Sequence, residues 1–89
     1  MKIKEGFMKR KVGGTEIVVA VGEKAAEFKA MISLNGSGSF LWDLLEKGTD
    51  EPSLVAAMLE KYDISEDIAK KDVHAFLEKA RSVGLLDEA

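Results

Sequence analysis

Residues 34–48, LNGSGSFLWDLLEKG, divide the chain into a first part patterned for strands and a second part patterned for helices, and the strand pattern does not return. Asn35 offers a side-chain oxygen to the amides that a first helical turn leaves unpaired. Gly36 and Gly38 form helix poorly, so that turn depends on its cap and on packing. Phe40, Leu41, Leu44 and Leu45 recur at helical spacing and Gly48 supplies a left-handed stop, which predicts a helix over 36–47. Trp42 lies off the centre of that stripe and reads as a packing residue at its rim.

Upstream, residues 7–12 (FMKRKV) and 15–21 (TEIVVAV) are strand-like and flank Gly13-Gly14. A Gly-Gly pair suits a two-residue hairpin turn because both central positions need positive φ. The turn sets Val12 opposite Thr15, Lys11 opposite Glu16 and Arg10 opposite Ile17, and the opposite charges of Lys11 and Glu16 favour that register. Met8, Ile17, Val19 and Val21 then form the more apolar face, expected to look inward, with Lys9, Lys11 and Glu16 outward. Residues 22–28 lack a strand pattern and read as a loop or short turn. Residues 29–34 alternate again, with Ala30, Ile32 and Leu34 on one face and Lys29, Met31 and Ser33 on the other, and read as a third, edge strand. Such an edge leaves backbone donors and acceptors unpaired, which is either a liability or a docking site.

Downstream, Thr49 and Asp50 can cap a helix over 51–62, with Pro52 tolerated in its first turn and Leu54, Val55, Met58, Leu59 and Tyr62 as its stripe. Ser65 and the acidic Glu66 and Asp67 open a helix over 66–83. Its buried face is Ala69, Val73, Phe76, Leu77, Ala80 and Val83, while Ile68 and Ala75 are apolar residues about a quarter turn off that face. Leu85 or Leu86 is expected to pack back on the core. Three antiparallel strands followed by three helices, joined by short connections over 1–89, make a single α+β domain with a winged helix-turn-helix-like order.

The bulk properties exclude more than they assign. Eighty-nine residues bury a modest core but leave little for a deep substrate cavity. A formal charge of -3 gives no general attraction to phosphate backbones, so nucleic acid is not the expected partner. The sequence has no cysteine and one histidine, His74, which points away from the apolar stripe, so no metal-ligand spacing arises and no cofactor is expected. The acidic pairs Glu66-Asp67 and Asp87-Glu88 read as a helix first turn and a solvated tail, not as general acids. NGSGS precedes a helix but matches neither nucleotide-binding fingerprint. A carrier-protein reading with an arm on Ser37 or Ser39 conflicts with the preceding strands and with the lack of an Asp before the serine. The final helix mixes Lys70, Lys71, Lys79 and Arg81 with Glu66, Asp67, Asp72 and Glu78, so a winged-helix DNA-binding regulator is the weaker alternative. With no membrane-length apolar run and no signal-peptide pattern, the expected compartment is the cytoplasm.

The stretch from Leu34 to Leu86 resembles the PqqD-like family, matching at Leu34, Asn35, Leu41, Trp42, Leu44, Leu45, Gly48, Tyr62, Asp72, Val73, Phe76, Leu77, Gly84 and Leu85. Ala80 stands where the family more often has a larger apolar residue, and Ser37-Gly38 replaces its usual Thr-Gly. The resemblance implies a non-catalytic, chaperone-like recognition element. It would hold the leader of a ribosomally made precursor peptide, as in PQQ biosynthesis, and present it to a maturase, often a radical SAM enzyme. The resemblance also implies binding by strand addition to the third strand, beside the final helix. On this sequence that site is the edge formed by Lys29, Ala30, Met31, Ile32 and Ser33, walled by Ile68, Asp72, Ala75 and Lys79. The expected state is a monomer or weak dimer without a membrane partner.

Overall fold

The computed structural model describes residues 1–22 and 32–88. Its elements in chain order are β1 (Lys2–Ile3), β2 (Phe7–Val12), β3 (Thr15–Ala20), β4 (Ile32–Leu34), α1 (Gly36–Lys47), α2 (Glu51–Lys61), α3 (Glu66–Ser82) and β5 (Leu86–Asp87). Gly13 and Gly14 turn the β2–β3 hairpin with φ of 55° and 85°, the left-handed values that a two-residue turn of this kind requires. The hairpin register pairs Lys11 with Glu16 and Arg10 with Ile17, and β4 adds antiparallel to β3 with Ile32 opposite Val18. Among the described residues the sheet order β2-β3-β4 leaves β4 at an edge. A second, two-stranded sheet joins Ile3 to Leu86, and Lys4 N–H donates to the Leu85 carbonyl at 2.8 Å.

Each helix starts on a side-chain cap. Asn35 accepts from Gly38 N–H at 2.7 Å, Asp50 from Ser53 N–H at 2.8 Å and Ser65 from Ile68 N–H at 3.3 Å, so each cap satisfies one of the donors a first turn leaves orphaned. Pro52 sits in the first turn of α2, where its missing N–H removes no hydrogen bond. The core forms where Leu41, Trp42 and Leu45 of α1 meet Leu54 and Met58 of α2, Val73 and Leu77 of α3, and Val18 of β3, all essentially without solvent contact. Phe40 and Tyr62 meet edge to face at 6.0 Å, tying the start of α1 to the end of α2. Leu85 and Leu86 are both buried, and the Arg81 guanidinium donates to Glu88 and Glu78 over the segment that leads to them.

Three sequence expectations are corrected. The hairpin register is the expected one, but the sheet faces are reversed. Val18 is fully buried, whereas Met8 and Val21, expected inward, are 38% and 37% exposed. Lys9 shares its face with Val18 and Ile32. A period of two defines two equally regular faces, and counting apolar residues chose the wrong one because the inner face carries charges that are paired with α1. Trp42 is at the centre of the core and not at its rim, because α1 is covered on more than one side. Three elements are also about a residue shorter than expected: β3 stops at Ala20, and Tyr62 and Val83 act as helix caps beyond the last helical turns. Of the strand expected over 29–34, Ile32–Leu34 is observed, and Lys29, Ala30 and Met31 lie outside the described residues.

Because Leu45 is fully buried between helices, Leu45→Ala should cost about 2–5 kcal/mol of unfolding free energy, read from the urea midpoint at constant slope.

Candidate functional site

A groove of about 570 Å³ opens between the β4 edge, the first half of α1 and the outer side of α3. β4 contributes Ile32, Ser33 and Leu34, of which Ser33 is exposed and Ile32 buried. The floor is apolar, with Leu41 and Trp42 from α1 and Phe76 and Ala80 from α3. Asp72, Ala75 and Lys79 line the α3 side at i, i+3 and i+7, the spacing that keeps three side chains on one helical stripe.

The local sequence explains the opening. Asn35 is the one residue between β4 and α1, and its side chain accepts from both the Gly38 amide and the Ser37 hydroxyl. A Cβ on Gly38 would stand 3.0 Å from the Asn35 oxygen and 3.6 Å from both Leu34 and Phe76. A glycine inside the first turn therefore lets β4, α1 and α3 approach at one end of the groove, and its low helix propensity is offset by the cap.

Behind the groove, the opposite side of α1 is fastened to the sheet. Lys9 Nζ donates to Asp43 at 2.6 Å and to Ser39 Oγ at 2.7 Å and lies 3.0 Å from Glu16, while the Ser39 hydroxyl donates to Glu16 at 2.8 Å. Burial opposes the Lys9 charge, but the hydrogen bonds to Asp43 and Glu16 outweigh it and hold the ammonium above its ordinary range. The Ser39 hydroxyl, and then Lys9, hold the Glu16 carboxyl below its ordinary range. These groups fix the position of α1 and hence of the residues it sends into the groove.

The two edges of the three-stranded sheet differ in charge. β2 presents the exposed Arg10 and Lys11, charges that discourage another strand from pairing. The described part of β4, Ile32, Ser33 and Leu34, carries no charged residue.

Of the residues expected from sequence, Ile32, Ser33, Asp72, Ala75 and Lys79 come together at the groove. Ile68 occupies the same α3 stripe four residues before Asp72, is 49% exposed and does not line the opening. Lys29, Ala30 and Met31 are outside the described residues. Sequence reasoning missed Gly38, Trp42 and Phe76 as lining, and only the unusual glycine in a capped first turn signalled a close approach. His74 is exposed, with Nδ1 at 3.8 Å from Glu51. Among the described residues no group of three or more His, Cys, Asp or Glu could hold a metal ion, and no helix is long and apolar enough to cross a membrane.

The family model for coenzyme PQQ synthesis protein D (PqqD) matches residues 16–86, which include β4, all three helices and every lining residue named above. The chain belongs to the PqqD family. This PqqD-family chain is also similar in fold to a solved structure, TbiB1 in complex with the TbiA(beta) leader peptide. The TM-score is 0.78 at 21% identity, over 100% of this chain and 98% of that one. No curated protein matches it.

Removing the junction cap should be measurable: Asn35→Ala is expected to cost about 1 kcal/mol in chemical denaturation. The clamp should show in the pH dependence of stability. Because the folded carboxyl of Glu16 sits below its ordinary value near 4.5, its stabilisation is present above that pH and is lost as the pH falls through the folded value. Ser39→Ala should therefore lower Tm by a few degrees at pH 7, and its difference from the natural chain should narrow as the pH falls to about 3, followed by circular dichroism.

Proposed function

We propose that this PqqD-family domain, a single unit over 1–89, is a non-catalytic recognition element for the leader of a ribosomally made precursor peptide. The leader adds as a strand to β4 and sends alternate side chains into the groove against α3. The observation that carries this reading is the adjacency of the uncharged Ile32–Leu34 edge to an apolar groove, while the opposite edge presents the exposed Arg10 and Lys11. Each backbone hydrogen bond to the added strand contributes roughly 0.5–1.5 kcal/mol net, so several are enough to hold a short segment whose side chains supply selectivity. The family, and the leader peptide in complex with TbiB1, support the same class of partner. The role extends to presenting the precursor to a maturase, of radical SAM type in PQQ-like pathways, in the cytoplasm. Lys29, Ala30 and Met31 belong to the proposed edge with Ile32 and Ser33, and Ile68 extends the α3 wall beyond Asp72.

Duplex DNA is disfavoured by the charge arrangement on α3. Lys70 is held by Glu66 at 2.9 Å and Arg81 by Glu78 and Glu88, so these cations are already matched within the domain.

The test is a titration of ¹⁵N-labelled protein with synthetic leader segments from short reading frames adjoining its gene. Amides of Ile32, Ser33 and Leu34 should shift together with those of Ala75 and Lys79, and the fluorescence of the sole tryptophan, Trp42, should report the same saturation. Ala75→Arg, at an exposed position, should weaken binding at least about tenfold while leaving Tm nearly unchanged. Peptides methylated at alternate backbone amides should bind worse in one phase of the alternation only. Leaders that leave the β4 amides unmoved at high micromolar concentration would remove the basis for this function.

A further inference from the structure

Asp72 and Lys79 are the two charged residues lining the groove, and they carry opposite signs. Both are exposed, and neither side chain has an ion pair or hydrogen bond among the described residues, in contrast to Lys70 and Arg81 on the same helix. They are seven residues apart, about 10.5 Å along the helix at 1.5 Å per residue. Apolar Ala75 and Phe76 lie between them.

Resting on the reading that an extended peptide occupies this groove, we propose that the rim selects a charge order in that peptide: a basic residue, then an apolar anchor two positions later, then an acidic residue two positions after that, from N- to C-terminus.

The order follows from direction. Every pairing of the three-stranded sheet is antiparallel, and a strand adding to β4 in the same manner runs opposite to it, with its N-terminal side at Leu34. Leu34 and Phe76 converge on Gly38 at that end. The Phe40–Tyr62 ring contact sets the start of α1 beside the connection that opens α3, so the N-terminal half of α3, with Asp72, belongs to the same end. Lys79 lies two turns further along, and α3 leads through Leu85 to the β1–β5 pair, which adjoins the Phe7–Ala20 end of the hairpin beyond the Val18–Ile32 pair, so Lys79 belongs to the side of Ile32. The guest therefore meets the aspartate first and the lysine last. The spacing follows from geometry. Residues on one face of a strand recur every second position at about 3.3–3.4 Å per residue, so positions i and i+4 stand about 13 Å apart. Long charged side chains leaning inward close the difference from the 10.5 Å between their partners. Position i+2 then faces Leu41, Phe76 and Ala80, an apolar floor with no charged group of its own.

Two short peptides of identical composition in a serine–threonine background test this, one carrying Lys-x-Leu-x-Glu and the other Glu-x-Leu-x-Lys. Each is titrated against the ¹⁵N-labelled natural chain and against Asp72→Lys/Lys79→Asp. The lysine-first peptide should bind the natural chain about five- to tenfold more tightly, the double variant should reverse the preference, and high salt should shrink both differences. Equal affinities, a glutamate-first preference on the natural chain, or a preference the double variant leaves unchanged would each overturn the charge order. In those cases shifts of the Ile32–Leu34 amides would keep strand addition standing. No shift of those amides with either peptide would overturn both.

Discussion

The groove depends on a junction one residue long. Asn35 separates the last residue of β4 from the first of α1, and its side-chain oxygen binds the helix amide at Gly38 that would otherwise be unpaired. Strand and helix thus share a hinge with almost no slack, so the direction of the open edge determines the direction of the helix beside it. The absent side chain at Gly38 lets Phe76 of α3 close the same corner. Two elements joined by a single residue thus meet a third from late in the chain, with no loop between the first two that could absorb misplacement.

Charge is arranged to protect some surfaces and leave others available. On the inner face of the sheet, Lys9 is surrounded by Glu16, Ser39 and Asp43, so a half-buried ammonium has partners for its donors and does not destabilise the packing beneath it. On β2, the exposed Arg10 and Lys11 oppose pairing of that edge with a like strand. On α3, Lys70 and Arg81 are matched internally, whereas Asp72 and Lys79 have no ion pair among the described residues. The proposed peptide recognition is consistent with this pattern, in which the backbone of β4 would provide general adhesion and a few side chains discrimination. Trp42 adds one unusual feature, since its buried indole N–H has no acceptor among the described residues, a cost that the surrounding aromatic and aliphatic packing outweighs.

The limits of the sequence reading follow from the kinds of interaction involved. Asn35, Ser65, the Gly13-Gly14 turn and the helical stripes of Leu54, Met58, Val73 and Leu77 act over a few residues, so pattern and chemistry identified them. The place of β4 in the sheet order and three of the residues that line the groove, Asp72, Ala75 and Lys79, were also named from sequence, because off-stripe helix positions leave a local trace and because the residues from Leu34 onward resemble a known family. The sheet face was misread since Met8, Ile17 and Val19 look more like core than Lys9 and Glu16 do. Only the Ser39 and Asp43 partners, contributed from more than twenty residues away, make the charged face the inner one.

By itself, then, the sequence determined the order of the three-stranded sheet and the three helices, the caps and turns, and the hairpin register, because each depends on backbone preferences and hydrogen bonds between near neighbours. The short β1–β5 pair, which joins the two ends of the described chain, left no such pattern. Which sheet face looks inward, the central burial of Trp42, and the convergence of Gly38, Leu34 and Phe76 into a groove were decided by the tertiary structure. These depend on which side chains from separate elements share space and exchange charge, and no local pattern encodes that.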